Sequence, residues 1–164
     1  MDGTFAGSVP ATTPGTDQAA ASIGQGRIEV SPLAMAVLAG AVARGASMAP
    51  TLVKAGPGAG PAATEPLDPG VVASLRTLMR SVVTEGSGTA LRDAPGGEVF
   101  GKTGTAEYGT DSPPRTRAWF VGYQGDIAFA VLVEDGRSGG SVAAPIARAF
   151  LDAYRAAPTA PAPE

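Results

Sequence analysis

Lys102, Thr103, Gly104 and Thr105 stand together in the run Lys-Thr-Gly-Thr-Ala-Glu (102–107), in a chain with few other groups able to do chemistry. Lysine occurs only as Lys54 and Lys102, and cysteine, histidine and asparagine do not occur at all. Disulfides, thiolate or imidazole metal sites, a Ser-His-Asp triad and a cysteine nucleophile are thereby excluded, so any nucleophile has to be Ser, Thr or Lys. On a strand Thr103 and Thr105 project to one side, and Gly104 between them removes a side chain so that something can approach the backbone closely. Two hydroxyls beside a bare edge can grip a carboxylate, and a lysine at the head of the strand adds positive charge and can hold or polarise a neighbouring hydroxyl. An extended peptide laid along such an edge gains main-chain hydrogen bonds, and a backbone N–H there can stabilise an oxyanion. The pattern reads as a site for the carboxylate end of a peptide. The same residues also describe an edge strand whose lysine discourages aggregation and whose threonines serve β propensity; the triplet alone does not separate the two.

The run needs a sheet, and helices to support it. Ser31-Pro32 places an N-cap before a first-turn proline and predicts a helix through Leu33, Val37, Leu38 and Val42 to Gly45. Asp68-Pro69 repeats the device for a second helix carrying Val71, Val72, Leu75, Leu78, Met79 and Val82 and stopping at Gly86. A third begins near Ser141, with Pro145 in its first turn. Between the second and third helices, the segments 98–107, 116–123 and 126–135 are rich in Val, Phe, Ile and Thr and bounded by Gly, Pro and Asp, which predicts three strands with a tight hairpin at Gln124-Gly125. Both alternating sets of the last strand are apolar, so helices must cover both faces of the sheet. The expected fold class is α+β, an antiparallel sheet of about three strands with helices packed on both faces.

With 164 residues the chain has room for one domain with a real core, and 44% hydrophobic residues, 16% charged and a net charge of −3 describe a globular protein with no polyanion partner, hence no nucleic acid. The first ten residues lack a signal-peptide pattern, and no run approaches the ~20 apolar residues of a membrane span. Residues 1–22, made mostly of Ala, Thr, Gly, Ser and Pro, read as a flexible or extended segment. A Pro/Gly-rich loop is expected at 56–66 and a disordered tail at 157–164, with the folded part at 23–156.

Taken in order, Lys-Thr-Gly-Thr-Ala-Glu, the hairpin beginning Ala-Trp-Phe-Val-Gly-Tyr (118–123), the strand ending Val-Leu-Val-Glu-Asp (131–135), Gly139-Gly140 and the helix opening Ser-Val-Ala-Ala-Pro-Ile-Ala (141–147) resemble the C-terminal part of a class B-like penicillin-binding protein transpeptidase domain. The stretch 23–36, followed by 40–53, is similar to that family's segment upstream of its Lys-Thr-Gly strand. The resemblance implies a serine D,D-transpeptidase. There a Ser-x-x-Lys serine attacks the penultimate D-alanine carbonyl of a peptidoglycan stem peptide, a second stem resolves the acyl-enzyme, and β-lactams are trapped in the same place. It implies that Lys102 is catalytic and pairs with the serine of a Ser-x-Asn motif, that Thr103 and Thr105 hold the substrate carboxylate, that the Thr105 backbone contributes to the oxyanion hole, and that Gly104 keeps the strand open. No cofactor is implied, and the full-length parent would work on the extracytoplasmic side of the bacterial membrane.

The sequence departs from that pattern in two places. The residues three before Lys54 and Lys102 are Thr51 and Val99, so there is no Ser-x-x-Lys, and without asparagine there is no Ser-x-Asn. Both motifs precede the Lys-Thr-Gly strand in the family, so the expectation is an incomplete fold lacking its N-terminal side, inactive alone, whose bare sheet edge takes the missing half of the domain or a second copy. The alternatives are a non-catalytic peptide-binding module and a fragment of a serine β-lactamase relative. Among other residues, Gly24-Gln25-Gly26 reads as a turn near the cleft or a plain loop, Trp119 as core, and Arg115 and Arg117 as solvated arginines or an anion lure. Glu107 and Asp111 are a carboxylate pair only by proximity, and Ser87 belongs to a helix stop.

Overall fold

The computed structural model describes residues 7–47, 49–50 and 64–157. Its elements in chain order are α1 (Thr16–Ser22), α2 (Pro32–Arg44), α3 (Pro69–Thr84), a 3₁₀ turn (Thr89–Leu91), β1 (Phe100–Tyr108), β2 (Arg115–Gln124), β3 (Ile127–Val133), a π-helical turn (Gly139–Ala143) and α4 (Ala144–Ala156). The strands form one antiparallel sheet in the order β1-β2-β3, so β1 and β3 are both edges. The α+β class with a three-stranded antiparallel sheet is therefore what the chain adopts.

The two anticipated N-caps hold their helices. Ser31 Oγ accepts from Ala34 N at 3.1 Å and Asp68 Oδ1 from Val71 N at 2.9 Å, each with proline in the first turn, and Gly45 closes α2 in the left-handed conformation. The hairpin turn lies one residue later than the sequence suggested. Gln124 pairs with Ile127, leaving Gly125-Asp126 as the two-residue loop, because Gly125 supplies the positive φ (59°) that such a turn needs.

Register sorts the sheet into two faces. Thr103, Phe120 and Val131 are in line, with Phe129 and Ala118 beside them, and this face packs on Val83, Leu91, Val99, Ala144, Ala147 and Leu151 as the main core. The opposite face carries Trp119, Val121 and Ala128 and receives α2, whose Gly40 lies against Ala128. Helices do cover both faces, as the two-sided apolar pattern of β3 required. On the α2 side Phe100 and Tyr123 stack at 4.9 Å between ring centres. Burial pushes the Tyr123 phenol pKa upward, with the nearby Arg76 opposing it.

Gln124, instead of turning the chain, is fully buried and works as a clamp. Its Nε2 donates to the carbonyls of Pro95 (2.8 Å) and Gly97 (2.9 Å), while Oε1 accepts from Arg155 Nε at 3.0 Å. It ties the loop that leads into β1 to the end of α4, so it helps fix where β1 begins. Gln124→Leu keeps the volume but strands two carbonyls and a guanidinium, and is expected to cost about 3 kcal/mol, read as a lower urea midpoint at unchanged slope.

The segment 1–22, read as flexible or extended, carries the helix α1 and a β-bridge from Ser8 to Glu29. Within it α1 buries no residue. What composition missed is a polar hold. Asp17 accepts from Thr13 N (2.9 Å) and pairs with Arg27 (2.9 Å), which also donates to Ala11 O. The Arg27 guanidinium first, and the Thr13 N–H next, bring the Asp17 carboxyl pKa from its ordinary 3.8 to about 2. The folded value is the lower one, so this support is complete above about pH 4 and is lost as pH falls through about 2. The Asp17 side-chain carbon resonance should titrate near pH 2, and in Arg27→Ala closer to its ordinary value, with α1 loosened. The expected loop at 56–66 lies outside the described residues except for its last three, and of the tail at 157–164 only Ala157 is described.

Candidate functional site

β1 is an edge strand from Phe100 to Tyr108, with the four predicted site residues in its middle. In an antiparallel strand the N–H and C=O of one residue point to the same edge, and the edge alternates from residue to residue. The Lys102 ammonium donates to Thr103 O at 2.6 Å and Gln25 Nε2 to Thr105 O at 3.1 Å, and neither donor belongs to β2. The carbonyls of Thr103 and Thr105 therefore face the free edge, and the same alternation puts their N–H groups there too. Lys102 and Thr105 are exposed, Gly104 is half-buried, and Thr103 is only 8% exposed.

The two hydroxyls share a face but not an environment. Thr103 Oγ1 hydrogen-bonds Ser87 Oγ at 2.5 Å, and Thr105 Oγ1 accepts from the Gly139 N–H at 3.4 Å. Packing within the chain itself already favours glycine at position 104. Trp119 lies beneath it, where an added Cβ would come within 3.2 Å, and Gly139 presses on its backbone from the other face. Trp119 is half-buried against the strand, which agrees with a packing role.

Three residues given little weight in the sequence take part here. Gln25, from the Gly-Gln-Gly loop, touches β1 directly, and its signal was the pair of glycines, both at φ 77°. Ser87 and Gly139 reach the strand from the turns after α3 and before α4, and no local pattern announces either contact. The arginines lie elsewhere. Arg117 and Arg115 flank the Tyr108 ring at 3.9 and 4.7 Å and pair with Glu134 and with Asp111, so Asp111 meets an arginine and not Glu107. Tyr108 donates its hydroxyl to Asp135, which raises the phenol pKa, with burial adding to the effect and Arg115 opposing it. Among the described residues no cluster of acidic side chains could hold a metal ion.

This geometry can be set beside known proteins. A family model described as the penicillin binding protein transpeptidase domain matches residues 2–152. The peptidoglycan D,D-transpeptidase PbpA of Mycobacterium tuberculosis is 37% identical over 154 residues, covering 80% of this chain and 30% of the relative. PbpA of Mycolicibacterium smegmatis is 37% identical over 169 residues, 87% of this chain and 33% of its own length. The chain thus spans about a third of these curated relatives. The transpeptidase domain of penicillin-binding protein 3 from Burkholderia pseudomallei superposes with a TM-score of 0.76 at 29% identity, over 95% of this chain and 51% of that one. A peptidoglycan glycosyltransferase from Burkholderia ambifaria gives 0.74 at 28%, over 99% and 53%. With the family match running from residue 2 to residue 152, the chain belongs to the penicillin-binding protein transpeptidase domain family.

Proposed function

We propose that this chain supplies the substrate-carboxylate strand of a peptidoglycan D,D-transpeptidase and leaves the acylating serine to a part of the domain outside it. The observation that supports this reading most is the position of Lys102–Thr105 on an edge strand whose free side carries main-chain groups, a cation and an exposed hydroxyl. A stem peptide ending in D-alanyl-D-alanine adds along this edge as a further strand. Its N–H groups replace the Lys102 ammonium on Thr103 O and the Gln25 amide on Thr105 O, so no carbonyl is left unpaired in the exchange. The released Lys102 ammonium and the hydroxyls of Thr103 and Thr105 hold the terminal carboxylate, and the Thr105 N–H faces the penultimate carbonyl oxygen as negative charge develops on it. In the complete domain a serine oxygen attacks that carbonyl, the amide bond breaks and terminal D-alanine leaves; a β-lactam meets the same groups.

The partner reading follows from what is uncovered. Among the described residues β3 has a free edge, and Val71, Leu75 and Leu78, spaced i, i+4, i+7 on α3, are 37–64% exposed. The remainder of the domain, or in its absence a second copy, covers these surfaces. Among the described residues no helix is long and apolar enough to cross a membrane; placement outside the cytoplasmic membrane is part of this proposal. The test is the intact mass of the purified chain after incubation with benzylpenicillin. An unchanged mass is expected, and a species heavier by one penicilloyl group on a serine would overturn the reading.

A further inference from the structure

Ser87 stands where a helix stop would suffice, yet it is the hydrogen-bond partner of the one buried hydroxyl in the candidate site. We propose that Ser87 is a further carboxylate-binding residue, acting with Thr103 as a paired hydroxyl donor; this rests on the reading of β1 as the strand that takes a peptide carboxylate. Thr103 is 8% exposed and its hydroxyl lies 2.5 Å from Ser87 Oγ, whereas Ser87 itself is exposed. Two hydroxyls carry two protons, and their mutual bond uses one. With Thr103 as the donor to Ser87, the O–H of the exposed Ser87 is left for a ligand at the rim. A carboxylate has acceptor sites on both oxygens, so it can take this proton together with one from Thr105.

The backbone holds Ser87 in place. Gly86 N donates to Ser81 O and Gly88 N to Val82 O, which folds the chain back at the end of α3. Gly88 is buried against Val82 and the Phe120 ring, and Gly140 sits so close to Ser87 O that a Cβ on it would lie 2.7 Å away. Ser87 is thus set between two fixed turns, with its hydroxyl aimed at the strand that carries the site.

The test is a titration of the chain with N-acetyl-D-alanyl-D-alanine and, separately, with its C-terminal amide. The wild-type protein should prefer the acid. Ser87→Ala and Ser87→Gly should weaken binding of the acid about tenfold and leave the amide unchanged, with Ser87→Thr restoring the preference to within about twofold. The glycine variant keeps the measurement available if alanine disturbs the turn. Equal weakening of acid and amide would show a merely structural role and overturn the proposal, as would full acid binding in both variants. If the wild-type protein shows no preference for the acid, the assignment of β1 itself fails and takes this proposal with it.

Discussion

Gly139→Ala is expected to cost more than about 3 kcal/mol and to disorganise the candidate site, the larger share coming from backbone that cannot move aside. A Cβ on Gly139 would lie 2.6 Å from Gly104 O and 2.8 Å from Gly104 N, and closer still to Trp119 O. All three atoms belong to the paired central part of β1 and β2, so relief requires lifting the turn before α4 off the sheet. That movement would also break the Gly139 N–H bond to Thr105 and unseat Gly140 from Ser87. Gly40→Ala gives the contrast. Its Cβ would meet only the Ala128 methyl at 3.5 Å within the α2 helix, so a gain of up to about 1 kcal/mol is expected from helix propensity. Urea unfolding of the two variants should move in opposite directions.

Phe120→Ala should cost about 3–5 kcal/mol. The ring is fully buried, lies 6.0 Å from Phe129 in a stacked arrangement, and sits across from Thr103 in the sheet register. Gly88, Gly101 and Gly122 line part of the ring's pocket with backbone, which cannot swing in to fill the space, while side chains such as Phe129 line the rest. The cavity therefore closes only in part. Phe120→Leu, which refills most of it, should lose less than about 1.5 kcal/mol by the same measurement.

What could be read from the sequence was what local rules govern. Ser31-Pro32 and Asp68-Pro69 mark real helix starts because capping needs only the residues present there. The three strands follow from an apolar alternation with turn residues between them, and β1 is an edge because no strand among the described residues pairs with its far side. The misses are contacts across long stretches of chain. Gln25 reaches Thr105 from 80 residues away and Ser87 reaches Thr103 from 16, and neither spacing has a local signature. α1 persists through Asp17, Thr13 and Arg27 in a stretch whose composition speaks only of hydrophobic burial. Gln124 looked like a turn residue beside Gly125, yet its amide is needed in the interior by two carbonyls and an arginine.

The central claim is that the free edge of β1 recognises the carboxylate end of a peptide, and amide-resolved NMR tests it most directly. On adding N-acetyl-D-alanyl-D-alanine, the backbone signals of Gly104 and Thr105 and those around Ser87 should shift saturably, and the C-terminal amide of the same dipeptide should shift them only at higher concentration. Unmoved signals along residues 101–108, or the same response to acid and amide, would contradict it.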